Sequence, residues 1–406
     1  MKIAIINQPT NNRGDESAHK ALMRRLNADL PNAQISVIFI GRTEEHLATI
    51  RVEGKQNRYV NLRNWWKWYG LTEMQRKGYF WLTLWHPTTI ALMWHLLRSD
   101  VVMCAPGGIN MGGFQSWYHI YELRIAKLLR KPIVYWARSI GPFPELTNYN
   151  REFKKQSISL LRYFSFISLR DKKSQEVADE FTINYQPTVD SAFLFDFKYQ
   201  LSDATKQKLS TDYVVLVPNR LIWHYRYANV KQENIDKFWL NVIKLIRHTY
   251  QQSQIVMLPQ TFGDGALSDG YNYFCQLAQI AGDNNVWVAP AICDSDEQQT
   301  IISSAKCVIG ARYHSIVFAI NASVPFVSLS YEHKMQGLLE MVGATKQMVD
   351  IENMFDNEEN SNKTLEQISK LINNQNCNIE QIRQKVMQIS EDCYGKLISY
   401  LKSLSK

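Results

Sequence analysis

Short apolar runs that end in a turn and give way to a longer amphipathic stretch recur along this 406-residue chain, and that alternation limits the folds open to it. A strand pattern at Lys2–Asn7 is followed by a helix pattern over Glu16–Ala28 and a second strand pattern over Gln34–Ile40. Asp100–Cys104 reads as a strand, then comes a glycine turn and a helix from about Gln115 to Leu129. Pro132–Ala137 and Phe166–Leu169 read as strands, with a helix across Tyr149–Tyr163 between them. Strand followed by helix, repeated, predicts βαβ units around a parallel sheet. A polar stretch at 198–212 lacks apolar periodicity and reads as a linker, after which the pattern restarts. Tyr213–Pro218, Gln254–Leu258, Asn285–Ala289, Cys307–Gly310 and Pro325–Ser330 are its strands, with helices over Glu233–Tyr250, Gly270–Ala281 and Asp296–Ser304 among them. The expectation is an α/β protein of two doubly wound parallel-sheet domains, 1–197 and 213–345, facing each other across a cleft, with a polar helical tail over 346–406. In such sheets ligands sit at the carboxyl ends of the strands.

Composition narrows the class. Hydrophobic content of 45% and charged content of 21% fit a globular protein and argue against disorder. The opening residues do not form a secretory signal, and the longest apolar run, near Trp94, is broken by His95, Arg98 and Asp100 before it could span a bilayer. The six cysteines are scattered, with no C-x-x-C pair, so neither a zinc site nor a disulfide framework is expected and a reducing cytoplasm is the natural setting. A net charge of +8 leaves nucleic acid, anionic membrane and small acidic substrates as partners. No basic block or nucleic-acid-binding signature supports the first.

The chemistry-bearing residues cluster just behind the strands. Gly310-Ala-Arg312-Tyr-His314 ends a strand and opens a helix at about Ser315. A helix N-terminus favours anions, and an arginine and an imidazole beside it suit holding a phosphate or carboxylate and moving a proton. Asn11-Asn12-Arg-Gly14-Asp15 follows the first strand; its bland alternative is an ordinary turn with Asp15 as helix cap. Ala105-Pro-Gly107-Gly108-Ile-Asn110 is a second glycine turn, with neither the dinucleotide nor the P-loop spacing. Arg138, Arg220, Gln260 and Lys334 each follow a strand, and cations gathered at one cleft need an anionic ligand to balance them. Asp171 and Ser174 read as helix capping.

The segment Arg58–Arg98 stands apart: it holds six of the eleven tryptophans, with six basic residues against the single acid Glu73. Trp65, Trp66 and Trp68 are expected to contact an anionic membrane surface or a sugar acceptor, the alternative being a packed aromatic subdomain.

Taken in order, Asn12-x-Gly14-Asp15, Pro106-Gly-Gly108, Ser139-Ile-Gly-Pro142, Arg170-Asp171-x-x-Ser174, Asp190-x-Ala192-Phe193, Gly310-x-Arg312-x-His314 and Tyr331-x-x-Lys334 resemble the polysaccharide pyruvyl transferase family. The resemblance spans about residues 7 to 343. It departs at Ala137-Arg138, where the family often has Gly-Gln, and in the tryptophan-rich segment. It implies a fold similar to the two-domain GT-B glycosyltransferases, and transfer of pyruvate from phosphoenolpyruvate onto two sugar hydroxyls as a cyclic ketal. It also implies that phosphate is released, with phosphoenolpyruvate as co-substrate and no obligatory metal or nucleotide.

On this reading His314 is the general acid and Asp15 the candidate carboxylate base, while Arg312, Lys334, Arg138, Arg220, Asn12 and Gly14 bind phosphoenolpyruvate. Gly107, Gly108, Asn110 and Gln260 line the acceptor side. The acceptor is expected to be a lipid-linked sugar, which places the enzyme at the inner face of the cytoplasmic membrane. Two other readings fit the same patterns: a GT-B glycosyltransferase using a nucleotide sugar, and a non-catalytic protein binding sugar or membrane.

Overall fold

The computed structural model describes residues 1–64, 68–194, 200–262, 270–331, 333–374 and 377–404. The chain divides into two compact units, one of Met1–Thr10, Asp15–Phe195 and Met387–Lys406, the other of Asn11–Gly14 and Asp196–Val386.

The first unit is built on strands β1 (Lys2–Ile6), β2 (Gln34–Ile40), β3 (Asn57–Leu62), β4 (Val101–Cys104), β5 (Gly107–Gly112), β6 (Ile133–Gly141), β7 (Phe166–Leu169) and β8 (Gln186–Pro187). They form a parallel sheet in the order β3-β2-β1-β4-β6-β7-β8, with β5 pairing β6. Alternate residues of each central strand enter opposite cores. Ala4, Ile6, Val102, Cys104 and Tyr135 join one cluster, whereas Ile3, Ile5, Val101, Met103 and Trp136 join the other. A strand buried on both faces therefore reads as an unbroken apolar run, as parallel sheets do. The helices Trp117–Leu128 and Asn148–Leu161 supply Ile120, Leu123, Phe153 and Leu160 to the first cluster. The helix Arg13–Asp29 supplies Ala21, Leu22 and Leu26 to the second.

The second unit carries β9 (Tyr213–Val217), β10 (Gln254–Met257), β11 (Val286–Val288), β12 (Val308–Gly310), β13 (Phe326–Ser330) and β14 (Met348–Asp350), in the order β11-β10-β9-β12-β13-β14. All pairs are parallel, so β9 and β12 are central neighbours whose carboxyl ends lie side by side. The helices Gln232–Thr249, Gly270–Ala281 and Glu358–Asn373 cover one face with Phe238, Trp239, Phe274 and Ile368.

Three expectations need correcting. The glycine turn at 107–112 is a strand, because Gly112 pairs Gly141 so closely that a Cβ there would fall 2.4 Å from the Gly141 carbonyl oxygen. The linker contains a helix, Asp203–Lys208, capped by the Ser202 hydroxyl. The tail is no separate segment: Ile368 and Ile372 pack in the second unit's core. Tyr394, Leu397 and Leu401, on the helix Ile379–Ser403, pack in the first unit's core. Among the described residues, no helix is long and apolar enough to cross a membrane.

Candidate active site

Helix Tyr313–Asn321 follows β12 after a turn of two residues. A Cβ on Gly310 would stand 2.1 Å from the Ser315 hydroxyl, so glycine is what lets the first turn fold back against its own strand. Arg312 occupies the N-cap position in extended conformation and gives no side-chain cap, since a guanidinium has no acceptor. The Ser315 hydroxyl donates to the Arg312 carbonyl at 2.5 Å and fixes the turn. The Arg312 side chain donates through Nη2 to the Thr261 hydroxyl at 3.1 Å and reaches over the Trp223 ring, 6.0 Å from its centre.

Thr261 leads to the first motif. It forms an antiparallel bridge with Asn12. On either side, the Arg13 N–H donates to the Gln260 carbonyl and the Phe262 N–H to the Asn11 carbonyl, each at 2.9 Å. Asn12 Oδ1 accepts from the Gly14 N–H at 2.8 Å, holding a tight turn. Gly14 then meets the His314 imidazole: a Cβ there would lie 1.8 Å from Nδ1. The ring is 7% exposed, packed on that glycine and on Phe318. Asn12, Gly14, Gln260, Arg312 and His314, far apart in sequence, thus belong to one constellation. Gln260 is 3% exposed, and its Nε2 has no hydrogen-bond partner among the described residues.

Beside β12, β9 ends in Pro218-Asn219-Arg220. Asn219 is fully buried and ties the loop together, donating to the Tyr331 hydroxyl at 2.7 Å and accepting from Trp223 Nε1 at 3.0 Å. Arg220 Nε donates to Gln232 Oε1 at 3.1 Å, with its guanidinium 5.6 Å from the Tyr273 ring centre, so it is directed to the helix Gln232–Thr249. Lys334 is the second residue of the helix His333–Val342 that follows β13, half-buried.

The first unit places Asp15 and Arg138 on one side of Gly107, where a Cβ would lie 3.1 Å from Asp15 Oδ1 and 3.5 Å from Arg138 Nη1. Arg138 does not meet the expectation of a ligand contact. It is 0% exposed and spends its donors on the backbone: Nη1 on the Ala105 carbonyl and Nη2 on the Gly108 carbonyl at 3.3 Å. With its amide turned to satisfy both ends, Asn110 accepts from Arg138 Nη2 at 2.8 Å and donates to the Ile109 carbonyl at 3.1 Å. Arg138 therefore acts by holding β5 in place. Asn110 is engaged in the same task, whereas a Cβ on Gly108 would meet nothing within 4 Å. The bland reading of Asp15 as helix cap fails, because the helix begins at Arg13, ahead of it. Asp171 is a cap, accepting from the Ser174 N–H at 2.8 Å. Arg170 is paired with buried Asp190 and donates to Ser139 Oγ at 3.2 Å.

Sequence reasoning missed three residues here. Asn7 follows β1 with φ 64°, a left-handed conformation that asparagine tolerates well. Its side-chain amide has no partner among the described residues. The Asn7 N–H donates to Glu122 Oε2 at 3.2 Å, and Tyr118 also hydrogen-bonds this carboxyl. Burial pushes the Glu122 carboxyl up to about 7 despite these donors. Glu122 sits mid-helix among apolar residues, and a carboxylate in that position was the available signal. Arg13, inside the first motif, donates to the Ala291 carbonyl at 2.6 Å and lies over Phe262. Of the expected aromatic contacts, Trp65 and Trp66 lie outside the described residues, as does the side chain of Trp68. Among the described residues no group of three or more His, Cys, Asp or Glu is placed to hold a metal ion.

Two α/β units with parallel sheets, each bearing polar groups behind its strands, define a GT-B-like protein. Solved structures agree on the fold. The UDP-GlcNAc 2-epimerase of Methanocaldococcus jannaschii is 12% identical, with a TM-score of 0.59, covering 98% of this chain and 100% of that one. Arabidopsis thaliana UGT89C1, solved with quercetin, is 11% identical, with a TM-score of 0.56 and 98% of both chains covered. At such identities the likeness is one of fold. The family model of the polysaccharide pyruvyl transferases matches residues 12–333, and the chain belongs to that family. The amylovoran biosynthesis protein AmsJ of Erwinia amylovora is 23% identical over 247 residues, spanning 57% of this chain and 57% of that protein's length.

Proposed function

We propose that the protein transfers pyruvate from phosphoenolpyruvate to two hydroxyls of one sugar in a polysaccharide precursor, forming a cyclic ketal and releasing phosphate. The observation that carries this reading is the convergence of Asn12-x-Gly14 on Arg312-x-His314 at the start of a helix, within a chain of the pyruvyl transferase family. Phosphoenolpyruvate carries a phosphate and a carboxylate, and guanidinium groups grip either in bidentate fashion. A helix N-terminus adds its dipole to the same end.

In this mechanism His314 gives a proton to the methylene carbon, which makes the central carbon electrophilic. One sugar hydroxyl adds there, the bond from that carbon to the phosphate oxygen breaks, and the second hydroxyl closes the ring. Two hydroxyl protons leave the sugar: one makes good the proton now in the new methyl group, through the imidazole, and one departs on phosphate. Arg312 and Lys334 stabilise the charge that grows on the leaving phosphate. Asp15, next in the chain after Gly14, takes a hydroxyl proton. Asn12 and Gly14 shape the pocket wall, and Gln260 Nε2 is a donor for the ligand. Arg220 contributes field rather than contact. No metal or nucleotide takes part. The acceptor is a lipid-linked sugar, met by the enzyme at the inner face of the cytoplasmic membrane.

The test is phosphate release from phosphoenolpyruvate with a panel of lipid-linked sugars, followed by mass analysis of the product. A product heavier by a ketal-linked pyruvyl group is expected; glycosyl transfer from a nucleotide sugar, with a nucleoside diphosphate as leaving group, would overturn the reading. General acid catalysis is worth about 10²–10⁴-fold, so His314→Gln should lose turnover on that scale while melting near the parent temperature. A variant with most of its activity would remove the imidazole from the mechanism.

A further inference from the structure

The solvent side of the segment 77–98 is apolar where a soluble protein's surface is ordinarily polar. Tyr79, Trp81, Leu82 and Trp85 are 55%, 65%, 62% and 82% exposed. The helix Pro87–Leu97 that follows carries no Asp, Glu, Lys or Arg. Its inner face, Thr88, Thr89, Leu92 and Leu96, is buried, with Leu92 and Leu96 in the first unit's core. Its outer face presents Ile90, Trp94 and Leu97, each about half exposed, at the spacing of one helical stripe. Between Ile90 and Trp94 the surface opens into a depression of about 480 Å³ lined also by Pro87, Ala91 and His95. Seven large apolar side chains exposed within twenty residues form a patch of the kind that marks an interaction surface.

Charge identifies the occupant. No acidic residue occurs between Glu73 and Asp100, whereas Arg76, Lys77 and Arg98 flank the patch. Glu73 itself is paired with Arg76, and Arg98 stacks on Trp94 at 3.6 Å from the ring centre. A second copy of the chain docking through this face would bring the Lys77 and Arg98 cations of both copies into one interface with no acid to balance them, because a two-fold interface opposes a patch to itself. Tryptophan and tyrosine rings with cations at their margin match the boundary of a bilayer, apolar body inward and polar tip in the headgroups. Anionic lipid supplies the balancing charge. We infer that Trp81, Trp85 and the outer face of the helix Pro87–Leu97 dock this protein on an anionic membrane surface. This contact lies within the Arg58–Arg98 segment expected from sequence, on elements that follow Trp65, Trp66 and Trp68. It holds the protein in the plane of the membrane without crossing it.

The inference deepens the membrane location proposed above, and because its test contains no substrate, its failure leaves pyruvyl transfer standing. Flotation with phosphatidylcholine vesicles, with and without phosphatidylglycerol, measures partitioning of the full chain. Binding is expected only with the anionic lipid and to weaken with salt. Trp85→Ser combined with Trp94→Ser should lower it roughly tenfold, and Arg98→Gln about fivefold. These side chains are exposed, so folding should survive. Quenching of the unaltered protein's tryptophan emission by lipids brominated on the acyl chain provides a readout free of mutation. Absence of binding to anionic vesicles, equal binding by the tryptophan pair variant, or absence of quenching overturns the inference. So does a concentration-dependent dimer that the same substitutions abolish, which would assign the face to self-association.

Discussion

The two units treat their cations in opposite ways. In the first, Arg138 is sealed and its Nη1 and Nη2 are taken up by the Ala105 and Gly108 carbonyls and by Asn110. In the second, Arg312 is half-buried at the head of a helix, where it donates to the Thr261 hydroxyl and lies over an aromatic face. From sequence both read as arginines behind a strand, but Arg138 lies within β6, whereas Arg312 follows β12. The difference teaches that an arginine ringed by backbone carbonyls is a scaffold, whereas one at the head of a helix is the kind the proposed function uses to hold its ligand.

Parallel substitutions can break that comparison. The largest effect is expected at the helix: Arg312→Lys should lower kcat/KM for phosphoenolpyruvate by roughly 10²-fold, through loss of bidentate grip, with little change in melting temperature. Steady-state kinetics beside a thermal melt checks it; a variant that lost stability and not kcat/KM would make Arg312 a second scaffold residue. Arg138→Met should do the reverse, leaving buried carbonyls without donors at a cost of about 2–4 kcal/mol. Urea unfolding measures this, and an unchanged midpoint would mean that β5 holds without the guanidinium. Smaller again is the contrast between two glycines. Gly14→Ala forces a methyl into the His314 ring and should cost about 1–3 kcal/mol together with activity. At Gly108 a Cβ meets nothing, so Gly108→Ala should fold and melt like the parent.

Much of this was legible in the sequence because parallel sheets bury both faces of their strands. Lys2–Ile6, Gln34–Ile40 and Phe166–Leu169 are apolar runs for that reason, and strand and helix bounds were read to within a few residues. The Arg312-x-His314 and Asn12-x-Gly14 motifs were legible as short strings behind strands, though the contact between Gly14 and His314 was not, because a tertiary contact leaves no periodicity. Arg138 was misread because burial of a cation by carbonyls has no local signature. β3 was not assigned: Asn57–Leu62 alternates polar and apolar residues at a sheet edge, half exposed, and the aromatic composition around it dominated the reading. The exposed tryptophans were seen as a group, yet which of them face solvent depends on how the helix Pro87–Leu97 is rotated on the core.

The comparison extends to carboxyl groups, with the smallest expected effect. Asp15 is half-buried near Gly107, whereas Glu122 is buried beneath the end of β1, its carboxyl raised from 4.5 to about 7 chiefly by desolvation. A carboxyl raised by folding binds its proton more tightly in the native state than in the unfolded chain. Its contribution to stability is therefore complete below about pH 4.5 and is withdrawn as pH rises to about 7. Over pH 5–7 that loss should amount to about 1–2 kcal/mol, part of the full shift being recovered by relaxation around Tyr118 and the Asn7 N–H. Glu122→Gln keeps the shape and removes the titration, so its unfolding free energy should run flatter with pH than the parent's. If both proteins show the same slope between pH 5 and 7, Glu122 is ionised throughout and its hydrogen bonds outweigh its burial.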